Sequence, residues 1–207
     1  MGEAMPLLVA ELAAPMAPVV FAVDAMGSDE VDSGGFGITA LNVGSAVAKK
    51  AVLRGMRPGF SVTKLDGSFT GRRSQEEPWR RQTPFSLLEI ADFPSTGWEP
   101  VHHGRWKYPD HITLGEGRTV VKVARALAAV ASCHRRRVAA LEDNMAVSGA
   151  TAKGRSPSPA LNYLCRQKAA NTVSAQIQLL LPWVETSRQP ADELSRLREV
   201  PVQVSSP

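Results

Sequence analysis

Apolar and polar positions along the chain alternate between two periods. Short runs rich in β-branched or aromatic residues, bounded by Gly, Pro or acids, read as strands at Val19–Met26, Phe36–Leu41 and Val138–Leu141. The first two are joined by the acidic, Gly-containing turn GSDEVDSGG, which predicts a hairpin and places Asp29, Glu30 and Asp32 in a solvated loop. WEPVHHGRWKY, Trp98–Tyr108, predicts a third strand with Gly104 as a bend. Ile177–Thr186 predicts a fifth, held to a sheet edge by Pro182.

The helical period appears after Pro109, where Glu116, Val120, Val123, Leu127 and Val130 share one face of a long helix running to Cys133. His134–Arg137 follows as a basic cluster at its negative end. A short helix is expected after the fourth strand, then a long one in SPSPALNYLCRQKAANTV, capped by Ser158 with Pro159 at its first position. A last short helix begins near Pro190. Three antiparallel strands followed by parallel ones reached through helical crossovers predict an α/β domain, a five-stranded mixed sheet flanked by helices.

Residues 42–97 have no sustained period and read as an insertion between strands two and three. Within it, Gly44–Arg54 could be a short basic helix and SVTKLDGSF a strand and turn. Arg72, Arg73, Arg80 and Arg81, with Trp79 between the pairs, suit either a phosphate backbone or a solvated loop. With Trp98 they also suit a protein-interaction surface. The resulting division is an N-terminal arm, 1–17, a domain spanning 18–198, and a C-terminal tail, 199–207.

Composition narrows the classes. A chain of 207 residues, 43% hydrophobic and 21% charged, suits one domain with a sizeable core. The net charge of +4 and pI near 9.3 favour a polyanionic partner. Cys133 and Cys165 have no metal-ligand spacing and read as reduced thiols, which points to an intracellular protein. The N-terminus has Glu3 and Glu11 and no basic region, which makes it a poor signal peptide. No stretch approaches the roughly 20 apolar residues of a membrane span, so no membrane partner is expected.

Four acids stand at strand ends or helix starts: Asp24 in VVFAVDAM, Glu116 in HITLGEGR, Asp143 in ALEDN and Asp192 in QPADELSR. A carboxylate at the carboxyl end of a buried strand lies where open α/β sheets bind ligands. Each acid also has a local explanation. Thr113 and Glu116 fit a capping box, Asp192 a helix first turn, Asp143 with Asn144 a cap, and Asp24 the opening of the acidic turn. The predicted topology makes the ends of strands one and four neighbours. Like charges so gathered are costly unless cations neutralise them. Mg²⁺ takes carboxylate and water oxygens, and two such ions clamp the attacking and leaving oxygens of an in-line displacement.

The segments FAVDAM, GRWKYPDHITLGE, LEDNMAVSGATAKGRSPSPALNYLCR and PWVETSRQPADELSR together resemble the ribonuclease H domain of retroelement polyproteins, especially DIRS-like, tyrosine-recombinase retrotransposons. The resemblance covers most of Val19–Arg196 apart from 42–97 and implies a ribonuclease H-like fold. It further implies an endonuclease that uses two Mg²⁺ or Mn²⁺ ions to cleave the RNA strand of an RNA–DNA hybrid. Asp24, Glu116, Asp143 and Asp192 match the catalytic metal-binding set, and Asn144, Lys153, Arg155, Ser195 and Arg196 match flanking positions that contact the nucleic acid. A reverse transcriptase module would be on another chain or lost, so a fragment, a domesticated interaction module and an inactive nucleic-acid-binding relic are the alternatives. Two features depart from the pattern: Gly115 and Gly117 flank Glu116, where they would loosen the helix, and no His follows Asp143.

Overall fold

A computed structural model of the chain describes residues 13–28, 33–55 and 96–196. Five strands, β1 (Met16–Met26), β2 (Gly35–Asn42), β3 (Glu99–Arg105), β4 (Arg137–Leu141) and β5 (Gln178–Leu180), form one sheet in the order β3-β2-β1-β4-β5. β1, β2 and β3 are antiparallel neighbours, whereas β4 runs parallel to β1 and β5 parallel to β4. The helices are α1 (Ser45–Gly55), α2 (Ile112–Ala129), α3 (Met145–Lys153), α4 (Pro159–Ser174) and α5 (Asp192–Ser195). This is the α/β arrangement that the sequence predicted, a five-stranded mixed sheet flanked by helices.

β1 sits at the centre because both of its faces are apolar. Val20 and Ala22 turn to one side with Ala48 and Val52 of α1, Val184 and Ala191. Val23 turns to the other, with Val120, Val123 and Leu127 of α2 and Leu161 and Leu164 of α4. β4 alternates in the same way, Val138 and Ala140 joining the α2 side, Ala139 and Leu141 the α1 side. A strand covered on both faces shows as a continuous apolar run.

Several expectations are met with shifted limits, and some are corrected. β1 begins at Met16 with Ala14 and Met16 buried, so part of the expected arm belongs to the sheet. The span expected as an insertion opens with α1, whose Ala48, Ala51 and Val52 are buried. SVTKLDGSF, Arg72, Arg73, Trp79, Arg80 and Arg81, and the acids Asp29, Glu30 and Asp32 lie outside the described residues. The fifth strand is three residues long and ends before Pro182. Past that proline the pairing is reduced to a single bridge, Glu142 to Trp183, because Pro182 cannot extend the ladder as a donor. α2 ends at Ala129, leaving Val130 exposed, and His134 donates through its ring Nε2 to the Ala128 carbonyl at 2.8 Å, a C-terminal contact expected of the basic cluster. Ser158 caps α4 as read, with Pro159 in its first turn. Among the described residues no helix is long and apolar enough to cross a membrane.

The short α5 is pressed against β2 at two glycines. A Cβ on Gly35 would stand 2.2 Å from the Ser195 carbonyl oxygen, and one on Gly37 2.7 Å from the Ser195 nitrogen and 2.8 Å from the Ala191 carbonyl oxygen. These are backbone atoms that no rotamer can move. Gly37→Ala is therefore expected to push α5 off the sheet, costing about 1–3 kcal/mol and lowering the thermal midpoint by roughly 3–10 °C. An unchanged midpoint would show that α5 is not held there.

Candidate active site

β1 and β4 deliver two acids to the same end of the sheet. Their parallel register pairs Phe21 with Ala140 and Ala22 with Leu141. Continued two residues, it sets Asp24 level with Asp143. Asp143 is tied by its backbone, since the Trp183 indole N–H donates to its carbonyl at 2.7 Å. Glu116 arrives from the first turns of α2. Oxygens of Asp24, Glu116 and Asp143 all lie within 4.8 Å of one another. Asp24 and Glu116 are 5% and 4% exposed, so three acids share a small volume with little water to screen them.

The start of α2 corrects two readings. Its N-cap is His111, whose ring Nδ1 accepts from the Thr113 N–H at 3.2 Å, so Thr113 and Glu116 form no capping box and Glu116 is left to face the other acids. The flanking glycines are contact points. A Cβ on Gly115 would meet the Ala25 Cβ at 3.3 Å and one on Gly117 the Leu164 Cδ1 at 2.9 Å. The helix is thereby brought close to β1 and α4, which seats Glu116.

Asp192 stands one step outside the cluster. It accepts from Arg196 Nε at 3.0 and 2.9 Å through its two oxygens and from a terminal nitrogen at 2.9 Å. It is near enough to Asp24 for its charge to raise the Asp24 pKa. Ser195 is fully buried and donates to Asp24, so it supports that carboxylate and does not reach outward to a nucleic acid as the sequence implied. Asn144 caps α3, accepting from the Ala146 and Val147 amides at 2.9 and 3.2 Å, and its side-chain amide donates to the Thr113 hydroxyl at 3.4 Å. Lys153 and Arg155 lie at the far end of α3, roughly 13 Å along its axis from Asn144, and both are exposed.

Sequence reasoning passed over a fifth acid, Glu142. It alternates in phase with Val138 and Ala140, which turns it into the α2 side of the core beside Glu116. That parity was a readable signal. Glu142 is 0% exposed and accepts from the Asn144 N–H at 3.0 Å through one oxygen. Burial, then the Glu116 charge, push its pKa well above the usual carboxylate range. Burial likewise raises Glu116 to about 8, reinforced by Asp143 and Asp24 and opposed by hydrogen bonds from Asn144 and Glu142. Burial raises Asp24 to about 6, against the lowering effect of the Ser195 hydrogen bond.

The donor set fits divalent cations. One oxygen each of Glu116, Glu142 and Asp143 is buried without a hydrogen-bond partner. Hard oxygen donors gathered under mutual repulsion are what Mg²⁺ or Mn²⁺ would stabilise.

No protein-family model matches the chain, and no curated protein matches it significantly. Among solved structures it is similar to the N-terminal RNase H domain from Mycobacterium tuberculosis, as a fusion with maltose binding protein, at 14% identity and a TM-score of 0.47, covering 86% of this chain and 90% of that one. It is similar to an RNase H1 isolated from compost by a metagenomic approach, at 10% identity and a TM-score of 0.49, covering 86% and 93%. It is also similar to RNase H1 from the halophilic archaeon Halobacterium salinarum NRC-1, at 12% identity and a TM-score of 0.45, covering 85% and 92%.

Proposed function

We propose that the domain of residues 18–198 is a divalent-metal-dependent endonuclease that cleaves the RNA strand of RNA–DNA hybrids, of the type carried by reverse-transcribing retroelements. The observation that carries this reading is the convergence of Asp24, Glu116 and Asp143 within 4.8 Å, with buried oxygens of Glu116 and Asp143 left unpaired. The sequence resemblance supplies the substrate and the retroelement type.

Asp24, Glu116 and Asp143 would hold two Mg²⁺ or Mn²⁺ ions, with Asp192 alongside. When bound, such ions bring a water nearer to hydroxide and stabilise the departing oxygen. The chain itself positions the carboxylates. Ser195 orients Asp24, the Asn144 N–H holds one oxygen of Glu142, and Trp183 fixes the Asp143 backbone. Arg196 holds Asp192 and, with Lys153 and Arg155, offers positive charge to a phosphate backbone. Choice of hybrid over DNA duplex would rest on helix shape and 2′-hydroxyls.

The test is cleavage of an end-labelled hybrid. We expect RNA-strand products with Mg²⁺ or Mn²⁺, none with chelator, and none from DNA duplex. The Arg196 clamp on Asp192 favours a second reading, a nucleic-acid-binding module without turnover. Folded protein that binds hybrid with a salt slope of several phosphates, yet gives no product with either metal, would select that reading.

A further inference from the structure

Beyond the carboxylate cluster, α2 and α4 border an open cleft of about 400 Å³ whose polar lining is made of donors. Arg118, Lys122 and Arg125 come from α2, Tyr163 and Gln167 from α4, and Trp106 from the segment after β3. Among the described residues no carboxylate lines it. Asp110, which pairs with Arg118, sits outside the lining. The Lys122 ammonium is 4.4 Å from the Phe36 ring centroid and 5.6 Å from that of Trp106, so its charge is held in place by aromatic faces. Tyr163 is 59% exposed and Arg125 is exposed beside it.

We propose that this cleft is a nucleic-acid subsite that grips backbone phosphates away from the reacting bond. The donor types are those that position phosphates: Arg, Lys, Tyr and Gln. Glu116 and the three cations share one rigid helix, and Lys122 and Arg125 follow Glu116 by about 9 and 14 Å along its axis. The inference rests on the substrate class proposed above but is independent of turnover.

The test is hybrid binding by fluorescence anisotropy across a salt series, in an Asp143→Asn background so that the probe stays intact. Lys122→Gln and Arg125→Gln are each expected to lower the slope of log affinity against log salt by about 1, and the pair by about 2. Arg125→Lys should retain the full slope, which separates charge from packing. Arg125 is exposed, so its variants report even where Lys122→Gln, which disturbs the aromatic contacts, fails to fold. Unchanged slopes in the Arg125→Gln protein would overturn the subsite. So would competition by polyglutamate as effective as by hybrid, which would assign the cleft to an acidic protein. Slope-dependent binding without any cleavage in the unsubstituted protein would refute the nuclease reading alone, and cleavage with unaffected slopes would refute the subsite alone.

Discussion

Asp143→Asn is expected to lower metal-dependent hybrid cleavage at least about 10³-fold while raising the melting temperature of the metal-free protein at pH 8. The two effects have one cause. Asn keeps the shape of Asp, and the tether from Trp183 goes to the backbone carbonyl, so the residue stays where it is. What is lost is a negative charge that a divalent cation needs. The same charge repels Asp24 and Glu116 and raises the pKa of both. Removing it relieves the folded state of that repulsion. A loss of activity with a lower melting temperature would mean that the variant simply misfolds. Cleavage retained within tenfold would remove Asp143 from the metal site. The pairing of gained stability with lost function is the pattern of a site strained for chemistry.

How far the sequence could be read depends on which interactions are local. β1, β2, β4, α2 and α4 were legible because their signals lie within one segment: apolar runs for strands covered on both faces, a single stripe on α2, and Ser158–Pro159 at the start of α4. Asp24 and Asp143 stood out because an acid ends each apolar run. What failed were readings that depend on partners far along the chain. Gly115 and Gly117 looked like weak helix formers because the atoms they approach, on Ala25, Leu161 and Leu164, are remote in sequence. Ser195 looked like a surface contact because its acceptor, Asp24, is 171 residues away. Glu142 was overshadowed by Asp143, although strand parity alone sends it inward. The fifth strand was drawn too long because Leu179 to Val184 is apolar on both sides of Pro182.

The metal-free protein is expected to lose stability as pH rises from about 4 to 8, and Mg²⁺ or Mn²⁺ is expected to restore it. Asp24 moves from 3.8 to about 6 on folding and Glu116 from 4.5 to about 8. Each therefore binds its proton more tightly in the folded chain than in the unfolded one. Between the ordinary value and the raised one the folded state holds more protons, so stability falls as pH climbs through that window. Below about pH 4 both states are protonated and nothing is lost, whereas above about pH 8 the loss is complete. Taken separately, Asp24 accounts for about 3 kcal/mol and Glu116 for about 5. Because the two charges act on one another, a combined loss on the order of 5 kcal/mol is expected, a large share of a domain's total stability. Thermal melts at pH 5 and pH 8 in chelator should differ by about 10–20 °C. Adding millimolar Mn²⁺ at pH 8 should close most of that gap and release protons, because the ions take the carboxylates in their charged form. A Glu116→Gln protein should show a smaller gap between the two pH values, the part due to Asp24 remaining, and should respond weakly to metal. If the unsubstituted protein instead melts higher at pH 8 than at pH 5 in chelator, the three acids are not crowded together and the metal site is lost with them.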